Sequence, residues 1–291
     1  MFNQISTSLI ELLIAAAKPP VWGILLLAII LLAAIYHFLA NRKVIKVAMC
    51  QIFVLDGDRQ GNFIRIENAI AEAKSKGADL ICFPEATMLG WLNSDAHIRA
   101  CTIPGPDCDQ LCGLAKKYKI HLCIGLEEKD GGRLYNSALL IDDQGWILLK
   151  YRQINVPQKL ISPPYTAGCD SDIGTANTKF GKIGLLVCAD THSESILDRM
   201  AALKPDLILV PYGYAEQEQN WPAHSDEFRK VVTGAAKRTG AMVVGTNLVG
   251  RISKGPWAGR IYGGQSVTAD KKGDILAVAA DRDRDIRIVS I

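Results

Sequence analysis

The sequence predicts a mixed α/β layered domain carried behind one apolar helix of membrane length. Three observations lead there. An uncharged run of 19 residues, Val21 to Leu39, stands near the N-terminus. After it, β-branched apolar runs alternate with segments of helical spacing. Two of those runs, ADLICFPE (Ala78 to Glu85) and PDLILVPY (Pro205 to Tyr212), are near copies in pattern, which points to two related halves around one core.

Of the 291 residues, roughly 40 belong to the N-terminal appendage, and the remainder is the upper range for one domain with one large core. Lys and Arg total 33 against 30 Asp and Glu, a net charge of +3 spread along the chain. That balance supplies no basic stripe and excludes nucleic acid as the expected partner. The eight cysteines form no C-x-x-C pair and no Cys/His spacing suited to zinc, so no metal or organic cofactor is expected. Cys50, Cys82, Cys123 and Cys188 lie within apolar strand-like runs, where a reduced thiol behaves as a small hydrophobe.

The appendage reads in two parts. Residues 1–20 hold a capping-box pattern, Ser8 to Glu11, opening the apolar stretch LIELLIAAAK before Pro19-Pro20, as expected of a short amphipathic helix on a membrane surface. Residues 21–40 then form the transmembrane helix, since at 1.5 Å per residue the run covers roughly 28 Å of hydrocarbon. The run is too long for the core of a cleaved signal peptide. Trp22 and Tyr36 suit the interfacial belts, and Arg42, Lys43 and Lys46 follow the span while Lys18 alone precedes it. This bias predicts a single-pass membrane protein with its globular domain, residues 41–291, in the cytoplasm.

Within that domain Val44 to Val54 reads as a strand buried on both faces. A helix over about Asn62 to Lys76 follows, with Ile64, Ile66, Ile70 and Ala73 inward, then a short strand that Pro84 ends. Next come a helix near Cys108 to Tyr118, a strand at His121 to Gly125, and a hairpin of Asn136 to Ile141 with Trp146 to Tyr151 about Asp142-Asp143-Gln144-Gly145. The second half repeats the order. A strand in GKIGLLVCAD precedes a helix over about Ser195 to Leu203, the strand in PDLILVPY, a helix over about Ser225 to Arg238, and a strand Ala241 to Gly245. A closing hairpin turns at Lys271-Lys272-Gly273, and Asp281 to Arg287, alternating in charge, reads as a solvated edge.

Three polar residues follow buried strands, where layered α/β folds place their sites: Glu85, Gln153 and Cys188. In this setting the chain resembles the nitrilase superfamily of carbon-nitrogen hydrolases. The resemblance runs from Lys46 to about Ala280 on KVAMCQ, GADLICFPEATMLGW, YNSALLIDDQG, KYRQINVP, FGKIGLLVCAD, DLILVPYG, GTNLVG and GGQSVTADKKGDILA. It implies a four-layer αββα sandwich of two pseudo-repeats, commonly assembled into homo-oligomers. It implies a Glu–Lys–Cys reaction on a small amide or nitrile, with Glu85 as general base and Cys188 as nucleophile. A carboxylate beside a thiol can take its proton and return it to the departing amine.

The sequence departs from the family at the lysine: where relatives read Y-R-K, this chain has Tyr151-Arg152-Gln153. Lys150, three residues earlier on the strand, should point to the opposite face. No acid lies between Val156 and Gly168, where the family usually carries a second glutamate. Gln153 can donate a hydrogen bond to an oxyanion but brings no charge. Three readings follow. Lys159 could swing in as the cation of an active hydrolase; Gln153 could serve as a neutral donor in a slower thiol enzyme, including an acyltransferase; or the domain could be an inactive ligand-binding or oligomeric scaffold at the membrane. The backbone N–H of Ala189 is a further oxyanion donor, Asp190 matches a structural position, and Trp91, His192 and Tyr212 are candidates to line the pocket.

Overall fold

The computed structural model describes residues 19–40, 44–157 and 164–291, with side chains of the first segment described for 23–33. The chain divides into two compact units, 1–44 and 45–291.

In the first unit, helix α1 runs Pro19–Ala40. It opens on two prolines, whose missing N–H groups would have had no intrahelical partner in a first turn. Its side chains from Ile24 to Leu32 are exposed. A helix therefore stands where the span over 21–40 was expected, but among the described residues no helix is long and apolar enough to cross a membrane. The capping-box pattern of the 1–20 segment lies outside the described residues.

The second unit begins with β1 (Lys46–Gln51), α2 (Arg59–Ser75), β2 (Leu80–Cys82), the single turn α3 (Ala96–Arg99) and α4 (Pro106–Tyr118). β3 (His121–Asp130), β4 (Arg133–Ile141) and β5 (Ile147–Arg152) form an antiparallel meander. The second half holds β6 (Thr175–Thr178), β7 (Gly181–Leu185), α5 (Glu194–Ala202), β8 (Leu207–Tyr212), β9 (Ala215–Glu216), α6 (Trp221–Thr239) and β10 (Met242–Asn247). β11 (Val249–Arg251), β12 (Ile261–Gly263), β13 (Val267–Ala269), β14 (Ile275–Val278) and β15 (Asp285–Ser290) complete it.

Two six-stranded sheets result, in the orders β15-β1-β2-β3-β4-β5 and β14-β13-β10-β8-β7-β6. Alternation along β1 explains how they stack. Val47 and Met49 share a core with Val243 and Leu209 of the other sheet, while Ala48 and Cys50 pack with Phe63, Ile66 and Ile70 of α2. Phe228 and Val232 of α6 cover the second sheet from outside. The layers are thus helix, sheet, sheet, helix, the predicted αββα sandwich. In each half two parallel strands flank a connecting helix, β1 with β2 and β7 with β8, as the internal duplication implied.

Several local expectations are corrected. Helix α2 starts at Arg59 because the Asp58 side chain accepts the Gly61 N–H at 3.0 Å and caps it, and Ile64 faces solvent at 54% exposure. The acidic-basic segment from Asp281 is in part a strand. β15 pairs antiparallel with β1 from Ser290 opposite Lys46 to Asp285 opposite Gln51, and it buries Ile286 in the core beneath α2 and Val289 in the core between the sheets. β3 extends to Asp130, five residues past the expected end, and carries two glutamates into the interior.

Candidate active site

Glu85 leaves the end of β2 through Pro84, whose ring denies the strand a further ladder donor. The loop it begins lies hard against β3, and Gly125 makes that possible: a Cβ there would stand 2.6 Å from Glu85 Cα and 2.7 Å from the Pro84 carbonyl. The carboxylate is fully buried. Its Oε1 accepts from Asn136 Nδ2 at 2.5 Å, and its Oε2 from the Gly213 N–H at 2.6 Å. The Cys188 thiol lies close enough that the two groups act on each other's ionisation. Gly213 is required by space, since a Cβ would meet Oε2 at 2.9 Å and Trp91 Cγ at 3.0 Å.

Cys188 opens a 3-10 turn, Cys188–His192, just beyond β7. Its φ of +42° lies in the left-handed region, a conformation that costs about 1–3 kcal/mol for a residue with a side chain and is retained only where surroundings enforce it. Asp190 does the enforcing. One carboxylate oxygen accepts from the Val187 N–H (3.2 Å) and the Tyr151 hydroxyl (2.8 Å), the other from the N–H groups of Ile154 (3.1 Å) and Asn155 (2.7 Å). The turn holding Cys188 is thereby tied to the segment holding Gln153.

Gln153 is 1% exposed at the end of β5. Its Nε2 donates to the Val187 carbonyl at 3.2 Å, and its Oε1 accepts from Asn136 Nδ2 at 2.9 Å. Asn136 on β4 therefore bridges Glu85 and Gln153 with one amide nitrogen. Glu85, Asn136, Gln153, Val187 and Cys188 form a closed polar ring between the two sheets.

The electrostatics follow from burial without a cation in that ring. Burial raises Glu85 to about 7 against the pull of Asn136, Cys188 and Gly213, with the Asp190 charge adding to the rise. Burial, then the Glu85 charge, pushes the Cys188 thiol well up. The resting pair is therefore a neutral thiol beside a carboxyl poised near neutrality, a proton-transfer couple rather than a preformed thiolate. Burial likewise raises Asp190 to about 6 despite its four donors.

Lys150 lies on the far face, as its spacing required. Its Nζ meets Glu128 Oε1 at 2.7 Å, and Arg152 grips the same buried carboxylate through Nε (2.9 Å) and Nη2 (2.6 Å). Lys159 lies outside the described residues. Ala189 accepts from Asn155 Nδ2 through its carbonyl at 2.7 Å, adding a further tie across the turn. Trp91 is 6% exposed beside Gly213 and packs edge-on to Trp257 at 5.0 Å. Exposed His192 stacks parallel to Tyr214 at 6.3 Å. Tyr212 is wholly buried: its hydroxyl donates to Thr191 at 2.9 Å and its carbonyl takes the Glu85 N–H at 3.3 Å, so it braces the site from below. Among the described residues no group of three or more His, Cys, Asp or Glu could hold a metal ion.

Sequence reasoning passed over Asn136, Gly213 and Glu127. An asparagine inside the apolar strand YNSALLI, and glutamates inside HLCIGLEEK, are the signals available, because buried strands disfavour both types unless something holds them.

The bifunctional nitrilase/nitrile hydratase NIT4A of Nicotiana tabacum is 29% identical over 203 residues, 63% of this chain and 57% of that protein. Nitrilase 3 of Arabidopsis thaliana is 32% identical over 163 residues, 50% of this chain and 47% of its own. The chain thus spans about half to three-fifths of the length of these relatives. In three dimensions it is similar to an amidase from Nesterenkonia sp., with a TM-score of 0.73 at 22% identity over 86% of this chain and 91% of the other. The sequence model of the carbon-nitrogen hydrolase family matches residues 46–291, a stretch that includes β1, β15 and every residue of the polar ring, and the chain belongs to that family.

Proposed function

We propose that the second unit hydrolyses a small amide or nitrile through a thioester on Cys188, with Glu85 moving the protons. The observation that carries this reading is the Cys188 thiol placed beside the buried Glu85 carboxyl, each bearing on the other's ionisation. The names of its relatives, a nitrilase/nitrile hydratase and an amidase, support the same reaction class. For an amide, sulfur bonds to the carbonyl carbon, its proton passes to Glu85, and the C=O π pair moves to oxygen. The oxyanion then collapses, the C–N bond breaks, and Glu85 returns the proton to the departing amine. Water attacks the thioester with Glu85 again as base, releasing the acid and restoring the thiol.

Gln153 stands at the family's lysine position in this reading. One of its two amide hydrogens is used on Val187, leaving the second for the oxyanion beside the Ala189 N–H. The site lacks the charge that a lysine would bring, and loss of one good oxyanion interaction costs about 10²–10³ in rate. Slow turnover is the expectation. Intact-mass measurement after incubation with amides, nitriles and acyl esters tests the reading: an acyl or imidate adduct on Cys188, absent in Cys188→Ala, supports it. No adduct with any of them leaves a ligand-binding scaffold. A Lys159→Ala variant that stops reacting would return the cation to that lysine, and transfer of the acyl group to an amine rather than water would make the enzyme an acyltransferase.

We also propose that α1 anchors the chain in a membrane, with the second unit on the cytoplasmic side and several copies associating there. Its support is the uncharged, largely apolar run and the positive charges that follow it. Release of the protein by alkaline carbonate would contradict the anchor, and a monomer on sizing in detergent would contradict the assembly.

A further inference from the structure

Among the described residues Glu127 has no side-chain partner: it is 1% exposed on β3, and neither carboxyl oxygen meets a hydrogen-bond donor there. Its cross-strand neighbour is Asn136, so both side chains stand on the face between the sheets, the face that carries Gln153. Asn136 has a loose end too. The Val187 carbonyl needs an N–H, which turns the Gln153 Nε2 toward it; Gln153 Oε1 and Glu85 Oε1 then claim Asn136 Nδ2, and Asn136 Oδ1 is left buried with no donor among the described residues. The Tyr165 hydroxyl, on a side chain 3% exposed, is likewise buried and without a hydrogen bond among the described residues, and the charges of Glu127 and Glu85 both bear on it. Buried polar groups are rarely left so. Arg59 also bears on Glu127, but it is paired with Asp107 at 3.3 Å.

The unmet groups are acceptors, apart from a hydroxyl that can accept. What they lack is N–H donors, and the ring beside them lacks a positive charge. We propose that Glu127, Asn136 Oδ1 and Tyr165 form a subsite for the ammonium group of an amine-bearing amide. A primary ammonium brings three N–H donors. It would also supply from the substrate a charge that the Gln153 position does not. The inference rests on the amide-hydrolysis reading and names its substrate class.

The test is titration calorimetry on the full chain in detergent carrying Cys188→Ala, with γ-aminobutyramide, neutral valeramide, anionic succinamate and butylammonium, which has no amide. The ammonium amide should bind about tenfold or more tightly than valeramide, equivalent to ~1.4 kcal/mol, and succinamate weakest. Binding should release a proton near neutral pH, because burial, and next the Glu85 charge, hold the Glu127 carboxyl up to about 8. Glu127→Gln, which keeps the shape, should erase the preference and the proton release, and Tyr165→Phe should reduce the preference. Equal affinities, or a preference that survives Glu127→Gln, overturn the subsite. The two readings fail separately. Acylation of wild-type Cys188 by valeramide as readily as by γ-aminobutyramide ends the subsite alone, whereas butylammonium held through Glu127 by a chain whose Cys188 never reacts ends the hydrolase reading alone.

Discussion

Gln153 donates its side-chain N–H to the carbonyl of Val187 at 3.2 Å, the peptide from which Cys188 enters its left-handed turn. A neutral amide thus occupies the gap between the Asn136–Glu85 pair and the nucleophile's own backbone. The bond orients the turn, yet it leaves the thiol without a positive neighbour within the ring. The predictions below follow from that arrangement.

Gln153→Lys should accelerate the reaction. An ammonium there would favour the thiolate and the developing oxyanion, so the rate of Cys188 alkylation near pH 7 and kcat/KM for an amide should both rise, by about tenfold or more. Stopped-flow alkylation and steady-state kinetics check this. A slower variant would mean that the Asn136–Gln153–Val187 link matters more than the charge.

Glu127→Gln should change stability in a pH-dependent way. Burial raises the folded-state carboxyl from 4.5 to about 8. Between those values the unfolded chain releases the proton that the folded chain keeps. Folding stability therefore falls as pH rises through this window, and the penalty is absent below it. The glutamine variant escapes the penalty, so it should gain up to about 5 kcal/mol above about pH 8 and nothing near pH 4. Urea unfolding at the two pH values reads the difference.

Much of this site could be read along the chain, and the reason is geometric. Glu85 and Cys188 each follow a strand that ends buried and Gln153 follows the edge strand β5, and strand ends are legible from apolar runs. The period of two along β5 also separates Lys150 from Gln153. The rest depends on contacts far apart in sequence. That Gly213 would donate to Glu85, 128 residues away, or that Asp190 would gather donors from Tyr151 and Asn155, is set by the stacking of two sheets. Strand β15 is hidden in the sequence for a related reason: its buried residues, Ile286 and Val289, face two different cores with exposed Arg287 between them, so no simple alternation marks the strand.

Asp190→Asn should uncouple the nucleophile turn from the Gln153 segment. Both oxygens of Asp190 accept, so an amide NH2 must confront at least one donor among Val187, Tyr151, Ile154 and Asn155. The expected loss is about 2–4 kcal/mol in stability, with kcat falling at least tenfold as Cys188 relaxes from its strained φ. Thermal unfolding and kinetics together check it, and a variant with unchanged kcat would remove Asp190 from the positioning role.

Gly213→Ala should fold yet lose activity. The added methyl meets Glu85 Oε2 at 2.9 Å and Trp91 at 3.0 Å, so the carboxyl must shift and its bond to the Gly213 N–H must lengthen. That bond lowers the Glu85 pKa, and weakening it raises the pKa further. The acidic limb of the pH–rate profile should therefore move to higher pH, with kcat reduced by about 10²-fold for a misplacement near 1 Å.

The most direct measurement of the central claim is the pH dependence of Cys188 acylation by an amide, followed by intact mass, in wild type and in Glu85→Gln. If Glu85 takes the thiol proton, the wild-type rate rises with an apparent pKa near 7, the value to which burial lifts that carboxyl, and the glutamine variant forms no adduct. Acylation that persists unchanged in Glu85→Gln, or a wild-type profile that climbs only with free thiol ionisation, would contradict the account.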